Sequence, residues 1–168
     1  MVYIMRFYVD GGCRGNGYPG SIGAAAVVVK KKSGEAEWFT TNLPRSDYDP
    51  PTNQKAELEA IILALEIALA RYQELDNGPR LDVKIYSDSR YAIGCMTDWI
   101  YKWNQNGWTN AAGNPVANQD RIRKAIDLDE DLKRLGSVEY VWISTSENMD
   151  ADRYCNAAMD EQLQNQQY

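Results

Sequence analysis

Histidine is missing from this chain altogether. Its absence removes zinc sites built on imidazole, Ser-His-Asp triads and every imidazole acid/base scheme. Any hydrolytic chemistry must therefore run on carboxylates, with a metal ion as the natural helper. Cysteine is scarce too: Cys13, Cys95 and Cys155 are odd in number and irregularly spaced. That argues against a disulfide framework and suits a reducing compartment. No apolar run approaches the roughly 18 residues of a membrane span, and "MVYIMRFYVDGG" reads as a strand rather than a signal peptide. The expected location is intracellular, cytoplasmic or nuclear, with no membrane association. Positive charge is short as well: 18 Lys and Arg face 24 Asp and Glu, a net charge of −6. A sequence-independent nucleic-acid binder is usually basic, whereas this balance is compatible with acids gathered in one metal-binding cleft.

What is present fits one domain spanning 1–168, long enough to bury a proper core. No internal repeat, linker or separate second domain is visible. Residues 2–9, 23–30 and 35–41 read as three successive strands with short turns, an antiparallel meander. Thr52 precedes a long apolar helix that ends before Asn77-Gly78-Pro79. "LDVKIYS" is a fourth strand, Ser89 caps a short helix, an aromatic helical piece follows, and a Gly/Asn/Pro loop leads to a helix near 119–135. "VEYVWIS" is the last strand, before a terminal helix. This alternation predicts an α/β fold, a mixed sheet with parallel crossovers.

Asp10 and Asp88 each follow an apolar strand immediately. Ligands in open α/β sheets bind outside the carboxyl ends of strands, but aspartate is also a common turn residue, and the spacing leaves both readings open. Glu57 adds weight. It lies on the helix face of Ile61 and Leu65, where an unpaired carboxylate is costly. In the last helix Asp152 shares a stripe with Cys155, Met159 and Leu163, and Asp150 points to the side of Arg153, Ala157 and Glu161. Asp152 is thus the inward acid. Four such carboxylates make an oxygen-only set that hard ions such as Mg²⁺ or Mn²⁺ prefer, suited to in-line phosphoryl displacement.

With "YVDGGCRGNG", "TNQKAELEAIILAL", "IYSDS" and "NMDADRYCNAA" in this order, nearly the whole chain resembles type 1 ribonuclease H. "DWIYKWNQNGWTNAAGNPVANQD" resembles that family's substrate-binding protrusion. The resemblance implies a five-stranded mixed β-sheet flanked by α-helices and metal-dependent cleavage of the RNA strand of RNA/DNA hybrids, by a monomer. It implies that Asp10 bridges two Mg²⁺ ions, with Mn²⁺ as a substitute, that Glu57 and Asp88 complete one site, and that Asp152 completes the other. Asn16, Asn53 and Gln54 match positions that contact the minor groove and the RNA 2′-hydroxyls. Trp99 and Trp103 match the DNA-strand channel, although their four-residue spacing alone reads as core. Thr52 and Asn118 match part of the phosphate pocket. Trp38 and Trp142, both in strands, are expected to pack.

Three departures from the family pattern stand out. The loop before the last acid is several residues shorter, reads "STSEN" without the usual histidine, and has Met149 in place of a glutamate. Pro50 stands at the arginine of the phosphate pocket, with Arg45 near enough in sequence to reach in. The protrusion keeps Lys102 but has Asn104 and Gln105 at common lysine positions and Ala111 for a small hydroxyl. The first predicts slower turnover, the third weaker and less salt-sensitive binding. Two other classes remain open: a hybrid-binding or regulatory module with little turnover, and a resolvase or integrase core.

Overall fold

The computed structural model describes residues 1–31 and 33–165. Its strands are β1 (Val2–Arg14), β2 (Ile22–Lys30), β3 (Ala36–Asn42), β4 (Arg80–Ser87) and β5 (Gly136–Trp142). They form one sheet in the order β3-β2-β1-β4-β5. Short turns make β1, β2 and β3 antiparallel neighbours. β4 runs parallel to β1, and β5 to β4, which long crossovers must supply. Helix α1 (Asn53–Gln73) forms the first crossover, and α2 (Arg90–Thr97), α3 (Trp99–Asn106) and α4 (Gln119–Lys133) form the second. A short 3-10 turn at Thr145–Glu147 leads from β5 into α5 (Met149–Asn165). The architecture is the expected α/β one.

Alternation along the strands sorts the two faces. Phe7, Val9, Val27, Leu81, Val83 and Ile85 turn inward with Leu58, Ile61 and Leu65 of α1 and Ile122 and Leu132 of α4. On the other face Ile22, Ala24 and Ala26 meet Cys155, Ala158 and Met159 of α5. A fully buried large apolar side chain contributes about 1.5–3 kcal/mol, so the first cluster holds most of the fold's stability. The second mainly seats α5.

β1 does not stop at Asp10, as its sequence suggests, but continues to Arg14. Its two neighbours end at different places. Pairing with β4 stops at Val9↔Ser87, whereas pairing with β2 continues through Asp10↔Ala26 to Arg14↔Ile22. Gly11 and Gly12 are therefore strand residues. A Cβ on Gly11 would lie 2.2 Å from the backbone carbonyl of Ala56, so glycine here lets α1 rest directly on β1.

Three packing expectations fail. Trp38 is 55% exposed at the sheet edge and stacks on Tyr154 with centroids 4.8 Å apart. Trp142 is 41% exposed because β5 is the other edge strand and ends there. Leu163 is 39% exposed. The buried stripe of α5 ends at Met159, beyond which Gln162 bonds the Gly23 carbonyl and Asn42 instead.

Candidate active site

The register places the first two acids side by side. Val9 pairs with Ser87 in the parallel ladder, so the next residue on each strand, Asp10 and Asp88, emerges at the same end of adjacent strands. Glu57 comes from the second turn of α1, which the Gly11 contact holds against β1. Its Oε2 accepts a 2.6 Å hydrogen bond from Ser89, whose oxygen in turn accepts the amide of Ala92 and caps α2. One hydroxyl thus ties the acid on α1 to the turn that carries Asp88.

Asp152 arrives through Asn148. Its side chain is buried and donates through Nδ2 to the Val9 carbonyl at 2.8 Å, and its backbone carbonyl accepts the amide of Asp152. The start of α5 is therefore pinned to the residue before Asp10. Asp150 lies outside, exposed, with Arg153 at 3.7 Å. The two aspartates divide as the helix stripe predicts.

Electrostatics binds the acids into one unit. Burial pushes the Asp10 carboxyl up to about 8, helped by the negative charge of Asp88 and by a hydrogen bond with, and the charge of, Asp152. Burial also raises Glu57, and Asp88 adds to it, against the opposing hydrogen bond from Ser89. Such a group costs free energy to ionise unless a cation joins it. Among the described residues no three Asp, Glu, Cys or His side chains are placed so that they could hold a metal ion together. Mutual repulsion reaches further than ligation, so acids can perturb one another before they close on an ion. By their chemistry carboxylate oxygens are what a hard divalent cation takes, and the side-chain oxygen of Asn148 is buried without a partner among the described residues.

The remaining candidates line two adjoining grooves. Asn16, Thr52, Asn53, Gln54 and Asn118 surround one of about 600 Å³. Gln54, Trp99, Trp103, Tyr91 and Lys102 line the other, about 530 Å³. Thr52 caps α1 through the amide of Lys55, and Asn16 accepts the amide of Asn53. Asn118 has φ of 62°, a conformation asparagine tolerates, and donates to the Tyr91 hydroxyl. Arg45 is not among the residues lining the first groove. The loop before α1 is instead held by Lys55, which pairs with Asp49 and donates to the Pro50 carbonyl.

Trp99 and Trp103 are neither wholly core nor wholly surface. Trp99 is 38% exposed and lies over Gly94, where a Cβ would come within 2.9 Å of its ring. Trp103 is half-buried between Trp99 and Trp108, at centroid distances of 6.0 and 5.6 Å. Sequence reasoning passed over Trp108, Tyr91, Ser89 in its role toward Glu57, and Asn148. Only the glycine before Trp108 signals the left-handed turn (φ 73° and 62°) that folds its indole back onto Trp103.

A family model described as RNase H matches residues 3–161. The chain belongs to the RNase H family. Ribonuclease H of Saccharopolyspora erythraea is 34% identical over 158 residues, covering 92% of this chain and 89% of that protein. Ribonuclease H of Clostridium botulinum (strain Hall) is 32% identical over 159 residues, covering 92% and 94%. Among solved structures, LC9-RNase H1, described as a type 1 RNase H with the type 2 active-site motif, superposes with a TM-score of 0.67 at 24% identity, over 94% of this chain and 71% of that one. The latter likeness concerns the fold alone.

By class, then, this RNase H is a ribonuclease. The connection from β5 to α5 spans only residues 143–148. Ser144 closes it by donating to Glu147 at 3.0 Å, and the amide of Glu147 returns to the Ser144 carbonyl. Met149 follows, 67% exposed, with no polar group to offer. No helix among the described residues is long and apolar enough to cross a membrane.

Proposed function

We propose that this RNase H hydrolyses the RNA strand of RNA/DNA hybrids, and that Asp10, Glu57, Asp88 and Asp152 hold two divalent cations, Mg²⁺ with Mn²⁺ as a substitute. The observation that carries the reading is Asp10, a carboxyl raised to about 8 between Asp88 and Asp152. When bound, such ions activate water and offset charge at a phosphodiester. A foamy viral protease-reverse transcriptase in complex with RNA/DNA hybrid shares the fold at a TM-score of 0.66 and 20% identity, over 91% of this chain and 19% of that one.

The chain's own residues supply placement. Asp10, influenced by both Asp88 and Asp152, would be the acid shared by the two cations. Ser89 orients Glu57, and Asn148 fixes Asp152 relative to β1. Asn16, Asn53 and Gln54 offer short amide groups suited to minor-groove edges and 2′-hydroxyls. Trp99 and Trp103 present partly exposed rings beside Lys102 for the DNA strand, and Thr52 and Asn118, which line the adjoining groove, are assigned to a DNA phosphate. With no histidine to carry protons, protons leave through water or the carboxylates, so turnover is slow.

Labelled RNA/DNA hybrid, duplex RNA and duplex DNA, each incubated with protein and Mg²⁺ or Mn²⁺, test the reading. Cleavage of RNA in the hybrid alone supports it. Hybrid binding without cleavage in either metal would favour the binding module, and cleavage of duplex DNA the resolvase or integrase alternative.

A further inference from the structure

Asp88, Ser89 and Arg90 are consecutive, and the first two belong to the site already described. Arg90 opens α2 exposed, its guanidinium centred 3.9 Å from the ring of Trp142. Trp142 is fixed in turn: its Nε1 donates to the Asp88 carbonyl at 3.1 Å, and its strand neighbour is Ser87. The arginine is thus held over an indole that is itself bonded to the backbone of Asp88. Among the described residues, Arg90 has neither a carboxylate partner nor a hydrogen bond to the protein. Arg6, Arg14, Arg71, Arg121, Arg134 and Arg153 pair with acids. Arg45 and Arg80 have no carboxylate partner among the described residues either, and Arg123, 4.1 Å over Trp108, bonds Gln119, but Arg90 is the one that follows Asp88 and Ser89 directly in the chain.

A stacked guanidinium keeps its in-plane N–H edges free, the geometry that matches phosphate oxygens bidentately. The stack also fixes its orientation, so less conformational entropy is lost on binding. We propose that Arg90, laid on Trp142, binds a phosphate of the RNA strand next to the four acids. The strand assignment follows from the course of α2. Its first turn adjoins Asp88, whereas its far end leads to Trp99 and the groove assigned to the DNA strand. In a protein with a net charge of −6, a carboxylate cluster repels the strand it must cut, and Arg90 supplies a counter-charge at its rim. The inference rests on the hybrid-cleaving reading above.

The experiment measures binding of a labelled RNA/DNA hybrid in Mg²⁺ across a range of KCl concentrations, in an Asp10→Asn background that prevents cleavage. Arg90→Gln is expected to weaken binding roughly 10-fold at low salt and to reduce the salt slope by about one. Arg90→Lys keeps the slope, and Trp142→Leu lowers affinity with the slope retained. Methylphosphonates in the RNA strand near the cut erase the difference between parent and Arg90→Gln, while the same change in the DNA strand leaves it. A merely structural role would lower the thermal midpoint without moving the slope. An unchanged slope in Arg90→Gln overturns the proposal, and a difference erased by DNA-strand methylphosphonates overturns the strand assignment. If the Asp10→Asn parent binds no hybrid in any salt, the hybrid reading itself fails and takes this one with it.

Discussion

The hydroxyl of Ser89 donates to Glu57 at 2.6 Å and accepts the amide of Ala92 at 3.0 Å. Two elements far apart in sequence thereby share one small group. Removing it as Ser89→Ala is expected to cost about 1 kcal/mol through the lost helix cap, read as a lower thermal midpoint. It also removes the hydrogen bond that favours ionised Glu57, so Glu57 titrates higher. The acid limb of the pH–rate profile then moves to higher pH. Ser89→Asp keeps a capping oxygen but sets a like charge beside Glu57, and is expected to lose more activity than Ser89→Ala while losing less stability.

Asp10 links activity to instability. Its folded-state value of about 8 lies above the roughly 3.9 of an unfolded aspartate. Between these values the folded protein holds a proton that the unfolded chain has released, so stability of the metal-free protein falls as pH rises from about 4 to about 8, then levels. Asp10→Asn abolishes cleavage and removes this loss. Thermal melts in chelator are expected to show the variant more stable than the parent at pH 8, with the gap closing toward pH 4. Added Mg²⁺ raises the parent's midpoint and narrows the gap.

The aspartates of α5 are expected to separate functionally as they do spatially. Asp152→Asn loses activity on the order of 100-fold or more, as expected when an acid proposed to hold the charge-stabilising cations is neutralised. Asp150→Asn, whose charge faces water and Arg153, stays within about twofold, since such surface pairs contribute little. Initial rates on one hybrid substrate measure both. Equal losses would contradict the placement of Asp152 by Asn148.

Gly11 is expected to tolerate no side chain. An alanine Cβ would overlap the Ala56 carbonyl at 2.2 Å and the Glu57 amide at 2.4 Å. Gly11→Ala should therefore cost about 1–3 kcal/mol or more and shift Glu57 away from Asp10. Denaturant unfolding reads the first effect. The second appears as a loss of rate in whatever fraction stays folded.

Much of this was legible in the residues. Strand order follows from the meander and the two helical crossovers. Glu57 and Asp152 were legible because each shares a helix stripe with buried side chains such as Ile61 and Cys155. Asp10 does not follow a strand, as its sequence suggests, but stands within β1, at the point where one neighbour drops away. Periodicity senses burial but not which neighbour a strand has, which is also why edge tryptophans such as Trp38 and Trp142 read as core. Asn148, Ser89 and Trp108 stayed hidden because their roles depend on contacts across the fold, to Val9, Glu57 and Trp103, that local pattern does not encode. The short "STSEN" connection was plain in the sequence, and the Ser144–Glu147 closure explains how a loop of that length turns the chain into α5.

The central claim is that the four acids act through a divalent ion on the RNA strand of a hybrid. The most direct measurement is cleavage of a hybrid labelled on its RNA strand, by wild type and Asp10→Asn in parallel, with Mg²⁺, with Mn²⁺ and with chelator. The expected result is RNA cleavage by wild type in either metal, none in chelator, and none by Asp10→Asn in any condition. Equal cleavage by wild type and Asp10→Asn, or undiminished cleavage in chelator, would contradict it.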